Sequence, residues 1–446
     1  LTLKFGTDGV RGVANAELTP ELVLSLGRAA ARVLPGSTFL IGRDTRVSGP
    51  LLQAALSAGL AAEGADVVDL GVVPTPAVAY ASADRGLPAA MISASHNPYT
   101  DNGVKFFLAG GRKLSDAIEA DLEAALAHPP GPAPAVGHIT PFSPSNDVGY
   151  EAHILQSTDG RGLDGLHVVV DCANGAASDV GPRVLREMGA QVDVIHAEPD
   201  GTNINHGCGS THSQSLQAAV VEAGADAGLA LDGDADRVLA VDHTGALVDG
   251  DQLMALLAVD LRAQGRLHDD TLVVTVMSNL GLRLAMAEAG IAVHETAVGD
   301  RYVLEALEEH GWSLGGEQSG HVIFRDLATT GDGLLTGVQV LDAMRRTGRS
   351  LAELAAVMTR LPQVLRNVRV GSRDGLDDAA EVWAAVAAVE QRLGRTGRVL
   401  LRPSGTEPVV RVMVEAGDEA DAAAAVDELC QVVARWGEGG VGTAPH

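Results

Sequence analysis

The chain has 446 residues, of which 46% are hydrophobic and 20% charged, with 53 glycines; this is too long for one ordinary core and predicts roughly two to four globular, loop-rich α/β domains, excluding a disordered chain. A formal net charge of −26 repels nucleic-acid phosphates and anionic lipid headgroups, so neither nucleic acid nor membrane is an expected partner, and an anionic small substrate must be met by a few placed Arg and Lys side chains. Cys172, Cys208 and Cys430 lack C-x-x-C spacing, no apolar run reaches bilayer length, and Leu1 to Arg11 shows no basic region followed by an apolar stretch, so the expected compartment is the cytoplasm.

In chain order, one pattern recurs four times: an apolar-periodic segment, a glycine, then a β-branched run. It falls at 61–70, 185–195, 221–231 and 286–294, and each instance reads as a helix, its C-terminal glycine and the next strand. Recurrence at domain-sized separations predicts several similar βαβ-type units. The Pro-rich stretch His128-Pro-Pro-Gly-Pro-Ala-Pro134 reads as a connecting arm and ends a first domain near residue 145. Leu361-Pro362 closes a helical pattern and starts the extended run 364–370. The last unit differs: strands at 398–401 and 409–415 and an Ala-rich helix from about Asp418 to Trp436 predict a small α+β domain. The domains expected are therefore 1–145, 146–252, 253–363 and 364–446.

Chemistry concentrates in five loops. Phe5-Gly-Thr-Asp-Gly-Val-Arg-Gly12 is glycine-dense with embedded charge. Met91-Ile-Ser-Ala-Ser-His-Asn-Pro-Tyr99 presents the Ser95 hydroxyl at a strand end, without the G-x-S-x-G elbow of acyl-transfer enzymes. Leu231-Asp-Gly-Asp-Ala-Asp-Arg237 crowds Asp232, Asp234 and Asp236 into one turn, and three like charges there call for a hard cation such as magnesium, calcium or manganese. An EF-hand is excluded, because Arg237 and His243 stand at its glycine and glutamate positions. Leu314-Gly-Gly-Glu-Gln-Ser-Gly-His321 offers groups that bind sugar hydroxyls. Leu401-Arg-Pro-Ser-Gly-Thr-Glu-Pro408 has the parts of a phosphate cradle: the Arg402 guanidinium, the Ser404 and Thr406 hydroxyls and backbone N–H groups near Gly405. Neither a Walker loop nor a G-x-G-x-x-G after a strand occurs, which leaves nucleotide binding unsupported.

Together, in this order and over the whole chain, the five loops resemble the α-D-phosphohexomutase superfamily. The resemblance implies three related α/β domains plus a smaller C-terminal α+β domain around a central cleft, each giving one loop. It also implies that Ser95 carries a phosphoryl group, that Asp232, Asp234 and Asp236, joined by Ser95, hold one Mg2+, and that Arg402, Ser404, Gly405, Thr406 and Arg411 hold the distal phosphate. Glu317, Ser319 and His321 would grip the sugar. Lys105 is the candidate general base or acid, with His96, Arg237 and Arg11 completing the catalytic set. Asp300, where related glucose and mannose enzymes often carry His or Lys, and Gln318 favour an amino sugar.

The expected reaction moves a phosphoryl group between O6 and O1 of glucosamine phosphate through a 1,6-bisphosphate, with glucosamine or glucose 1,6-bisphosphate as activator. The partner is then a small phosphosugar, with a homodimer as the expected assembly. Rival readings are glucose or mannose phosphate as substrate, an aspartyl-phosphate enzyme using Asp232, and a silent sugar-phosphate-binding protein.

Overall fold

The computed structural model describes residues 9–127, 133, 135–143, 149–372, 375–404 and 408–439. Residues 1–8, which include the start of the first loop, most of the Pro-rich arm, and Gly405 and Thr406 of the phosphate loop lie outside the described residues. Packing divides the chain into two units, Leu1–Met277 with Gly290–Val357, and Ser278–Ala289 with Met358–His446. No described helix is long and apolar enough to cross a membrane.

The first unit contains three sheets. In the first, strand Thr38–Arg43 lies parallel to Asp66–Val72 and Ala89–Ile92. Phe39 and Ile41 belong to a core shared with the helices Pro20–Val33 and Gly49–Ala62, whereas Leu40 belongs to one with Val78, Met91 and Phe107. Alternate residues thus bury opposite faces, as a doubly covered sheet requires. The second sheet has five strands, Leu247–Val248, Val238–Asp242, Ala227–Leu231, His167–Asp171 and Gln191–Ile195. The third orders Ala292–Thr296, Thr271–Thr275, Leu314–Gly316 and Val322–Phe324.

All four recurrent glycines sit where the sequence pattern puts them, between a helix and a strand, with left-handed φ: Gly64 at 86°, Gly189 at 94°, Gly224 at 61° and Gly290 at 69°. A side chain at such φ is strained, so glycine ends the helix and frees the chain for the strand.

The three sheets share one further feature. Each has a parallel strand that turns straight into an antiparallel neighbour: Ala89–Ile92 into Asp101–Leu108, Ala227–Leu231 into Val238–Asp242, and Leu314–Gly316 into Val322–Phe324. The Ser95, aspartate and sugar loops are those three turns. Each therefore hangs on a buried strand at the carboxyl end of its parallel neighbours, where open α/β sheets build sites.

The second unit is a three-stranded antiparallel sheet, Gln363–Arg369, Val409–Glu415 and Arg398–Pro403, with the helices Ala380–Leu393 and Glu419–Gly439 sharing its core. Helix Ala380–Leu393 has no counterpart in the sequence reading. The segment Ser278–Ala289 belongs here by sequence-distant bonds: Asn279 Nδ2 donates to Leu361 O and to Glu415 Oε1, both at 3.0 Å. Glu415 also accepts from Leu280 N and, at 2.8 Å, from Arg398 Nε.

Candidate active site

The Ser95 loop is held from beneath by a buried arginine. Arg46 forms a fully buried ion pair with Asp44 at 2.9 Å. Its guanidinium donates to the carbonyls of Ser95 (2.8 Å), Asn97 (2.9 Å), Pro98 and Asp101 (3.1 Å). Ser93 Oγ donates to Asp44 at 2.7 Å and accepts from Ser95 N at 2.9 Å. Asn205 Nδ2 adds a second donor to the Ser95 carbonyl at 2.9 Å. These bonds stabilise Ser95 at a left-handed φ of 51°, an uncommon conformation for serine that needs such support.

The Ser95 hydroxyl donates to Asp232 Oδ2 at 2.5 Å. A Cβ on Gly233 would lie 2.7 Å from the Ser95 carbonyl oxygen and 2.8 Å from Asn205 Nδ2, so only glycine lets the aspartate turn close on the serine loop. Thr75 fixes Asp234 through both backbone (2.9 Å) and hydroxyl (2.7 Å). Lys105, buried within strand Asp101–Leu108, reaches Asp234 Oδ2 at 2.9 Å and Asp236 Oδ2 at 3.4 Å. His96 Nδ1 accepts from Arg237 Nη1 at 3.2 Å. Burial, then the charges of Arg237 and Arg11, hold the His96 imidazole below its ordinary range and neutral.

Asp232, Asp234 and Asp236 are buried and each offers an oxygen within 4.8 Å of the others. Asp234 Oδ1 and Asp236 Oδ1 are buried and accept no hydrogen bond. Burial, then the charges of Asp236 and Asp234, push Asp232 well above the carboxylate range. On Asp236, burial pushes upward too, but Lys105, His321 and Arg237 outweigh it and hold the carboxyl well below. Three carboxylates this close do not all ionise unless positive charge compensates them. Oxygen-only ligands with two unused buried oxygens fit a divalent hard cation.

The sugar loop lies in the same unit. Glu317 accepts from Gly299 N at 3.2 Å and from Ser319 Oγ at 3.4 Å, and Gln318 Nε2 is buried without a hydrogen bond. His321 is buried 3.7 Å from Asp236 and 3.1 Å from Asp300, and Asp300 also pairs with Lys113. Burial alone would lower the His321 pKa; the charges of Asp300 and Asp236 raise it to about 10. Gly331 N–H points at Nε2 from 2.9 Å, which only a neutral ring could accept, but two buried carboxylates outweigh one amide dipole.

In the second unit, Arg402 and Arg411 are directly opposed across the antiparallel pair Arg398–Pro403 and Val409–Glu415, with Asn367 opposite Arg411 on the next strand. Directly opposed residues share a sheet face, and like charges in that position destabilise it, so an anion between them relieves repulsion. Ser404 is buried.

Arg46, Asp44, Ser93, Asn205, Thr75 and Lys113 were not picked out from sequence. A signal existed for the first two: Gly42-Arg-Asp-Thr-Arg-Val-Ser-Gly49 is a charged turn directly after an apolar strand.

Four family models match: phosphoglucomutase/phosphomannomutase alpha/beta/alpha domain I over residues 2–129, domain II over 149–245, domain III over 249–361 and the C-terminal domain over 365–432. The chain belongs to the phosphoglucomutase/phosphomannomutase family, with its mixed α/β fold of four domains. A phosphoglucosamine mutase of Saccharopolyspora erythraea is 58% identical over 96% of this chain and 98% of its own, and one of Clavibacter michiganensis is 56% identical over the same shares. The chain is accordingly an enzyme, a phosphosugar mutase and isomerase on the phosphoglucosamine branch of its family. Among solved structures, a phosphoglucomutase/phosphomannomutase family protein of Burkholderia thailandensis matches with a TM-score of 0.81 at 26% identity, covering 96% of each chain. N-acetylphosphoglucosamine mutase of Aspergillus fumigatus, in complex with GlcNAc-6P and magnesium, shares the fold, with a TM-score of 0.70 at 19% identity over 98% of this chain and 96% of that one.

Proposed function

We propose that the enzyme interconverts glucosamine 6-phosphate and glucosamine 1-phosphate by way of phospho-Ser95 and a 1,6-bisphosphate, feeding UDP-N-acetylglucosamine and cell-wall synthesis. The observation that carries the reading is the Ser95 hydroxyl 2.5 Å from Asp232, on a loop whose carbonyls are pinned by Arg46 and Asn205. Phosphoryl transfer asks chiefly for positioning and charge neutralisation, and this loop supplies the first.

In the forward half-reaction the sugar O1 attacks the phosphorus of phospho-Ser95, the bond from phosphorus to Ser95 Oγ breaks, and the proton from O1 passes to a neighbouring base, for which Lys105 is the candidate. The bisphosphate then turns over, and Ser95 Oγ takes the 6-phosphate as a proton returns to O6. Arg237 faces the same loop and helps neutralise phosphoryl charge. Asp232, Asp234 and Asp236, with a phosphoryl oxygen on Ser95, would hold Mg2+, which supplies Lewis-acid stabilisation of that phosphoryl group when bound. Glu317 and Ser319 orient the sugar hydroxyls, with His321 beside them. Arg402, Ser404, Gly405, Thr406 and Arg411 hold the phosphate that is not reacting.

The test compares kcat/KM for glucosamine 6-phosphate, glucose 6-phosphate and mannose 6-phosphate, with Mg2+ and a trace of matching bisphosphate, using enzyme shown by mass to carry one phosphate on Ser95. A large preference for the amino sugar and loss of turnover in Ser95→Ala are expected. Equal or better turnover of the neutral sugars would refute the amino-sugar assignment. Full turnover in Ser95→Ala, or a phosphoenzyme cleaved by hydroxylamine, would move the nucleophile to an aspartate.

A further inference from the structure

A second cluster of metal-ligating side chains lies in the second sheet, apart from the aspartate turn. Asp171 ends strand His167–Asp171, His196 follows strand Gln191–Ile195, and Cys208 precedes the short 3-10 turn Gly209–Thr211. One ligand atom from each falls within 4.8 Å of the other two. Asp171 and Cys208 are fully buried, and the His196 side chain is 31% exposed, leaving a path to solvent.

The contact between His196 and Asp171 has the spacing of two ligands. Nδ1 lies 3.1 Å from Oδ2, near enough for the imidazole to pull the Asp171 carboxyl downward against its burial. That spacing is also the one two ligands of a single ion adopt. A tetrahedral ion with bonds of about 2.0–2.1 Å to nitrogen and oxygen sets its ligands about 3.3 Å apart. The Asp171 oxygens each accept one backbone N–H, from Ala173 at 2.9 Å and Gly209 at 2.8 Å, which fixes the carboxylate and leaves each oxygen a second lone pair.

We propose that Asp171, His196 and Cys208 form a site for a borderline-soft divalent cation, zinc by ligand type, distinct from the hard-cation site at the aspartate turn. Sulfur, nitrogen and oxygen ligands together select zinc over magnesium. Thiolate and carboxylate balance the ion's two charges, water completes the shell, and binding releases the Cys208 proton. The site would clasp both strand ends to the loop carrying Asn205, whose backbone N–H already donates to Ala173 O at 2.9 Å and whose side chain holds the Ser95 carbonyl.

The test is cobalt(II) titration of the full chain in excess Mg2+, followed by ultraviolet absorption. A thiolate-to-cobalt charge-transfer band growing to one equivalent is expected, and the aspartate turn, having no sulfur ligand, cannot produce it. Cys208→Ser should abolish the band and Cys172→Ala should keep it. His196→Asn, which tolerates the left-handed φ of 50° at that position, should weaken or abolish it and cancel the rise in thermal midpoint that zinc gives the wild type. No band in the wild type, or a band that survives Cys208→Ser, overturns the proposal; should Cys208→Ser fail to fold, an undiminished band and zinc response in His196→Asn do the same.

Discussion

The Ser95 loop and the Arg402 loop are both turns between strands, yet they are built in opposite ways. Around Ser95, one buried guanidinium and one buried amide hold the carbonyls of Ser95 and Asn97, and the turn across from it needs glycine to fit. Around Arg402, two guanidiniums oppose each other across a strand pair, with Arg411 exposed. The first arrangement is held by hydrogen bonds within the protein; the second sets two like charges opposite each other across the strands. Under the proposed mechanism, a group that attacks in line would benefit from rigidity, and a cradle that accepts either end of a bisphosphate would benefit from generic charge.

The largest expected effect breaks the rigid side. Arg46→Lys keeps the charge beside Asp44 but cannot reach four carbonyls at once, so kcat should fall about 100-fold or more, with little change in KM, as loss of near-attack geometry does. Steady-state kinetics on phosphorylated enzyme check it, and an unchanged kcat would show that the serine loop holds its own shape. On the other side, Arg402→Ala should raise KM for the sugar phosphate about 10- to 100-fold, the equivalent of roughly 1.5–3 kcal/mol of charge-assisted hydrogen bonding. A fall in kcat with KM unchanged would erase the contrast between the two loops.

A third effect concerns stability and its dependence on pH, with no direct bearing on turnover. Asp332 caps helix Gly333–Thr347, and Gly333 N donates to Ala235 O in the aspartate turn. Burial raises Asp332 to about 7, against the lowering pull of the Leu335 N–H and the Tyr150 hydroxyl. Between about pH 4 and 7 the native carboxyl keeps a proton that the unfolded chain has lost. Its contribution to stability is therefore full at low pH and declines as pH rises, by at most about 4 kcal/mol. Relative to wild type, Asp332→Asn should gain stability between pH 5 and pH 8, measured by denaturant midpoints. Parallel curves would show that Asp332 ionises normally.

Much of the site was legible because its chemistry is local in sequence. Asp232, Asp234 and Asp236 lie within five residues, Ser95 and His96 are adjacent, and the helix–glycine–strand repeats advertise themselves by spacing. Arg46 was not legible, since its partners are carbonyls about fifty residues away, and neither was Asn205, which reaches back 110 residues to Ser95. Lys105 gave no sign of burial, because a lysine after Asn-Gly reads as a solvated strand end until its strand is covered on both sides. Helix Ala380–Leu393 was missed for another reason: its run of Ala and Val lacks the polar contrast that marks a helical face.

The placement of Asn279 bears on how the chain is made. About eighty residues before the rest of its unit is synthesised, this side chain already needs Leu361 and Glu415 as partners, and Leu280 N–H needs Glu415 as well. During translation those groups stay hydrated until the last strand emerges, so the second unit closes only near the end of synthesis. For the same reason a cut at the 357–358 boundary parts Glu415 and Leu361 from Asn279 and Leu280, their partners on Ser278–Ala289.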